Sequence, residues 1–122
     1  MTGDQNWLLN CIALVRRAPG TWVPTKSARG LELFLIGYRK ARNDLGFPEY
    51  GHEEADLLEP FQVWAAEKVG LAPRVGWAYC VEQLDNREEN VLTFVSLFEE
   101  FLSQRGRQLP VPDPQAWIGK RA

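Results

Sequence analysis

Apolar residues recur at helical spacing along most of the chain and nowhere alternate in the two-residue rhythm of a strand, which confines the fold to packed helices. In the first stretch, Gln5–Arg17, residues Trp7, Leu8, Cys11, Leu14 and Val15 share one face, and Pro19-Gly20 ends the pattern. A loop is expected over Pro19–Thr25, where two prolines flank the isolated Trp22. Ser27 is placed to cap a second helix over roughly Ala28–Leu45, with Leu31, Phe34, Leu35, Tyr38, Ala41 and Leu45 inward. Gly46 supplies a left-handed stop and Pro48 prevents resumption. Residues 47–58 fit either an acid-lined loop or the start of a helix. Because Pro60 is tolerated only in a first helical turn, the third helix runs from near Leu58 to just before Gly70. Its inner stripe is Phe61, Trp64, Ala65, Lys68 and Val69.

A fourth helix over about Val75–Leu84 carries Trp77, Cys80, Val81 and Leu84 at core spacing, and Asp85-Asn86 breaks it. Asn86 followed three residues later by Glu89 has the form of a capping box and predicts the opening of a fifth helix. Val91, Phe94, Val95, Phe98, Phe101 and Leu102 form its stripe, as far as Gln104. The expectation is an all-α, single-domain bundle of about five helices over residues 1–106. A Pro-rich tail over 107–122 follows, extended by Pro110, Pro112 and Pro114, with Trp117-Ile118 available to dock on the bundle.

At 122 residues the chain suits one domain, and its 45% hydrophobic content suits a globular one. No apolar run approaches the roughly 20 residues of a membrane span, so no membrane association is expected. The N-terminal residues lack the basic region of a secretory signal, which points to the cytoplasm. Cys11 and Cys80 both lie in apolar helical patterns and read as buried free thiols, with a disulfide as the alternative.

Charge is segregated along this chain. Residues 49–100 hold twelve Asp/Glu against three Lys/Arg, while the flanks are basic, giving segment charges of +4, −9 and +3. A net charge of −2 therefore conceals the means to build an acidic face, which steers and captures basic partners. The acidic cluster Glu49–Glu59 also has a simpler use, as a solvated loop and helix N-terminus where carboxylates complement the dipole.

Catalytic equipment is sparse. His52 is the only histidine, so every Ser-His, Cys-His or two-His metal scheme depends on it. His52 with Glu53, Glu54 and Asp56 lacks the second histidine of a zinc-binding HExxH, the cysteines lack CxxC spacing, and no glycine-rich phosphate loop occurs. No cofactor and no metal are expected, and the chain reads as a non-enzyme. Arg39, Lys40 and Arg42 with Arg16 and Arg17 are the only candidates for a nucleic-acid surface, and the acidic middle opposes it. Direct nucleic-acid binding is not expected. Trp22 and Trp117, outside every helical stripe, are clips over a core edge or interface anchors.

The segment Gly30-Leu31-Glu32-Leu33-Phe34-Leu35-Ile36-Gly37-Tyr38 resembles the "L..FL.GY" element of small bacterial immunity partners of polymorphic toxins. Similar to those families too are the helix with Phe61 and Trp64, Gly76-Trp77 opening a helix, and Phe94 to Leu102 closing the pattern. Their upstream "RPGMY" turn is echoed as Arg17-Ala18-Pro19-Gly20-Thr21-Trp22. The resemblance implies a cytoplasmic inhibitor that binds one cognate toxin domain and occludes its active site. The charge argument, not a family motif, nominates Glu53, Glu54, Asp56 and Glu59 as partner contacts, followed by Glu88 and Glu89. The competing readings are a non-catalytic helical adaptor or regulatory module for another basic protein, and a small enzyme or metal-dependent domain centred on His52.

Overall fold

A computed structural model describes residues 7–46 and 57–112. Among these residues there are six helices and no strand: α1 (Trp7–Arg17), α2 (Pro19–Trp22), α3 (Ala28–Asp44), α4 (Leu58–Val69), α5 (Trp77–Leu84) and α6 (Val91–Gln104). The all-α expectation holds, with one helix more than the periodicity shows.

The extra element is α2, in the stretch expected to be a loop. Four residues are too few to display a period, but Pro19 at the first helical position has its φ already set for a helix. Val23 N–H closes the turn on Pro19 C=O at 2.9 Å. Trp22, half-buried, packs against the core from this turn.

The core is aromatic and centres on Phe61 of α4, which is 0% exposed. Its ring meets Phe94, Phe98 and Phe101 of α6 at 5.4, 5.1 and 5.5 Å and Trp77 of α5 at 6.4 Å, all edge-on. Edge-to-face contact suits the ring quadrupole and adds about 0.5–1.5 kcal/mol per pair to the burial itself. Farther along α4, Trp64 packs on Phe101 and donates its indole N–H to Gln104 of α6. Helix α6 touches α1, α3, α4 and α5 and is the hub of the bundle. Helix α1 is buried well beyond its expected stripe: Leu9, Ile12 and Ala13 join Leu8, Cys11, Leu14 and Val15 inside, as befits a helix apolar on most sides.

Three helix N-termini are satisfied by residues from elsewhere. Ser27 caps α3 as expected, accepting a hydrogen bond from Gly30 N–H at 2.9 Å. A second donor of α3, Ala28 N–H, is bound by Asn90 Oδ1 at 2.7 Å, and Asn90 Nδ2 donates to Asp85 C=O at 2.9 Å. In return Lys26 C=O accepts from Val91 N–H, the first residue of α6, at 2.9 Å. Lys26 takes a left-handed conformation, φ 53°, in the turn that delivers this carbonyl. These bonds lock the starts of α3 and α6 together, using donors that a helix leaves unpaired. The expected capping box is therefore corrected: α6 begins at Val91, and Asn86 lies in the exposed loop ahead of it. At α5, Gly76 occupies the cap position without a side chain, and the Glu32 carboxylate from α3 accepts a hydrogen bond from Ala78 N–H.

Other boundaries follow the sequence closely. Gly46 and Gly70 adopt positive φ, 83° and 77°, as the stop signals require. Leu45 and Leu84, expected inside, are 74% and 52% exposed, and Ala41 and Lys68 also face solvent. These residues sit in or just beyond the last turns of their helices, except Ala41 near the end of α3, where the stripe has run past its neighbours. Leu109 packs into the core just after α6, whereas Trp117-Ile118 lie outside the described residues. Cys11 and Cys80 are both free and buried. No helix among the described residues is long and apolar enough to cross a membrane.

Candidate functional site

The eight acids of the middle segment that lie among the described residues divide into two groups. Four hold the bundle together or brace its loops. Arg16 of α1 pairs with Glu99 of α6, and Arg29 of α3 pairs with Glu82 of α5 at 2.8 Å. Lys68 of α4 pairs with Glu100 of α6 at 3.1 Å. Asp85 accepts hydrogen bonds from Arg87 Nε and Nη2, both at 2.8 Å, and from the Thr93 hydroxyl. Two of these pairs join a basic flank to the acidic middle, so part of the charge segregation in the sequence serves helix–helix pairing. Exposed pairs of this kind contribute about 0–1 kcal/mol each, enough to set register but little stability.

The second group, Glu59, Glu67, Glu88 and Glu89, is exposed and carries no ion pair among the described residues. Three of the sequence-nominated contacts belong here, and Glu67 is an addition that the charge reading passed over. Glu59 lies in the first turn of α4, where its charge complements the helix dipole. Glu88 and Glu89 lie on the loop before α6, which Asn90 ties to the start of α3. Glu53, Glu54 and Asp56, together with His52, lie outside the described residues. Glu59 lines a cleft shared with Glu32, Leu35, Ile36 and Arg39 of α3, and Glu88 and Glu89 are not among its lining residues.

Beside Glu59 a cleft of ≈ 410 Å³ opens between α3, α4 and the starts of α1 and α5. Its apolar surface comes from Trp7, Leu35, Ile36, Leu58 and Trp77. Glu32, Arg39, Glu59 and Gln62 supply the polar groups, and the volume lies within the range of ordinary ligand sites. Helical periodicity assigns Trp7, Leu35 and Trp77 to the core, and only the packing reveals that they also form a concave surface. Glu32 was invisible as a site residue because its position depends on the tertiary approach of α3 to α5.

Electrostatics differ between these groups. Burial pushes the Glu32 carboxyl above the usual carboxylate range, against the pull of Arg29 and of Ala78 N–H. Asp85 is held well below that range, first by the hydrogen bonds from Arg87 and then by Thr93. A carboxylate saturated with donors in this way is a poor proton acceptor. Burial raises both thiols, Cys11 most, which disfavours the thiolate form that nucleophilic chemistry uses. Among the described residues no group of three His, Cys, Asp or Glu side chains is arranged to hold a metal ion.

Comparison with family models, curated proteins and solved structures finds no match to this chain.

Proposed function

We propose that this chain is an immunity protein that binds a cognate bacterial toxin domain and occludes its active site through exposed carboxylates. The observation that carries this reading is the division of the acids. While Glu82, Asp85, Glu99 and Glu100 are committed to internal contacts, Glu59, Glu88 and Glu89 remain exposed and unpaired among the described residues. Such charges accelerate encounter with a basic cleft and orient the partner, while aromatic and apolar contacts slow its release. The resemblance of residues 30–38 to the "L..FL.GY" element supplies the kind of partner. Toxins of these systems act widely on nucleic acids or nucleotides, and a carboxylate surface competes with such a substrate for the same basic groups.

The test is a charge reversal of Glu53, Glu54, Asp56 and Glu59 to lysine, with Glu88 and Glu89 reversed in a second variant. Association with the toxin encoded beside this chain is measured at low and high salt. The reading predicts a fall of on the order of tenfold or more in association rate at low salt for at least the first variant, shrinking as salt screens the field. Unchanged binding in both variants would overturn the assignment of these residues.

A further inference from the structure

We propose that the cleft between α3 and α4 receives an arginine side chain from a protein partner, its stem on the apolar floor and its guanidinium beside Glu32 and Glu59. An arginine side chain is an apolar stem ending in a flat, weakly hydrated cation. The cleft offers the complement: Leu35, Leu58 and Trp77 for the stem, and carboxylates on both α3 and α4 for the head. Glu32 and Glu59 share the lining with one guanidinium, that of Arg39, while Arg29, 4.0 Å from Glu32, is bound at 2.8 Å to Glu82. Glu59 carries no ion pair among the described residues, and burial has raised the Glu32 carboxyl, so an incoming cation would favour its charged form.

The rim on α3 is also open to a partner. Ile36 is 61% exposed and Leu33 64% exposed. Next to Ile36, Gly37 has nothing within 4 Å of where a side chain would begin. A glycine in mid-helix weakens the helix, and among the described residues no neighbour requires its lack of a side chain. A bare stretch of helix beside the cleft lets another backbone come close. The inference rests on the toxin-binding reading only for the partner's identity, since the cleft chemistry stands apart from it.

The experiment is a titration of the ¹⁵N-labelled full chain with N-acetyl-L-argininamide and, separately, with its neutral isostere N-acetyl-L-citrullinamide. Expected are saturable shifts of the amides of Leu35–Arg39 and Leu58–Gln62 with the arginine compound, and a much weaker response to the citrulline compound. Glu59→Gln, at an exposed position, should leave the rest of the spectrum intact and weaken binding roughly two- to fivefold, the range of one partly exposed ion pair. Equal responses to the two compounds, shifts confined to other surfaces, or full affinity in Glu59→Gln would each overturn the proposal. Because no toxin is present, failure here leaves the immunity reading standing. Loss of toxin neutralisation in the Glu88 and Glu89 reversal, with the arginine titration of that variant unchanged, would in turn separate the two surfaces.

Discussion

Replacing Asn90 by alanine removes the tie between the starts of α3 and α6, and its cost can be worked out from two hydrogen bonds. Asn90 is 3% exposed, so water does not replace what the side chain provides. Loss of Oδ1 orphans the buried Ala28 N–H, for about 1–3 kcal/mol, and loss of Nδ2 removes a bond to the Asp85 carbonyl, for about 0.5–1.5 kcal/mol. The expected destabilisation of Asn90→Ala is about 1.5–4.5 kcal/mol. At roughly 2.1 cal/mol/K of unfolding entropy per residue, the 122-residue chain has about 0.26 kcal/mol/K, so Tm falls by roughly 6–17 °C. Urea denaturation followed by tryptophan fluorescence should show a lower midpoint with an unchanged slope. Asn86→Ala is the control, because its side chain lies in an exposed loop, and it should stay within about 0.5 kcal/mol of the parent. An Asn90→Ala variant as stable as the parent, or an Asn86→Ala variant that loses as much, would refute the cross-capping argument.

The two glycines of the "L..FL.GY" stretch should respond with opposite signs. Gly30→Ala would set a Cβ 2.3 Å from Thr25 Oγ1 and 3.0 Å from Ser27 Oγ, disturbing the α3 cap at a net cost of about 1–2 kcal/mol, whereas Gly37→Ala meets nothing among the described residues and should stabilise by about 0.5–1 kcal/mol. Chemical denaturation of both variants checks the pair, and a shared sign would contradict it. Asp85 is held below its ordinary range in the folded chain, so the stability it contributes is present above the unfolded carboxyl's pKa of about 3.9 and is lost as pH falls through the lower folded value. The stability gap between the parent and Asp85→Asn should therefore shrink between pH 5 and pH 2, and a gap that widens on acidification would contradict it. Cys11 and Cys80 are 1% and 0% exposed, so a disulfide-forming thiol reagent at pH 8 should label them only as fast as the chain opens, and at once in denaturant. Rapid labelling of the folded protein would contradict their enclosure.

Features that act within one helix could be read from the sequence. Ser27 as a cap, Gly46 and Gly70 as stops and the stripe from Val91 to Leu102 are all local, and each is found where expected. The failures have tertiary causes. Asn86 and Glu89 have the spacing of a capping box, but the residue that matters is Asn90, whose side chain is directed at another helix. Leu45 and Leu84 fit their stripes, yet a period carries no information about where the neighbouring helix ends. The α2 turn is shorter than any window that could reveal it. For the candidate site, the excess of acid was legible and its division was not, because whether a carboxylate meets Arg16, Arg29 or solvent depends on packing. The cleft was hidden for the same reason, since Trp7 and Trp77 read simply as core residues.

The most direct test of the central claim is capture of the partner from a lysate of the source cells, with the full chain as bait at low and at high salt. The account predicts recovery of one basic toxin domain that high salt releases, that the glutamate-to-lysine reversals fail to retain, and whose activity the parent chain abolishes. Recovery of no toxin from cells shown to make one, or of a toxin held equally well by the reversed variants at all salt concentrations, would contradict it.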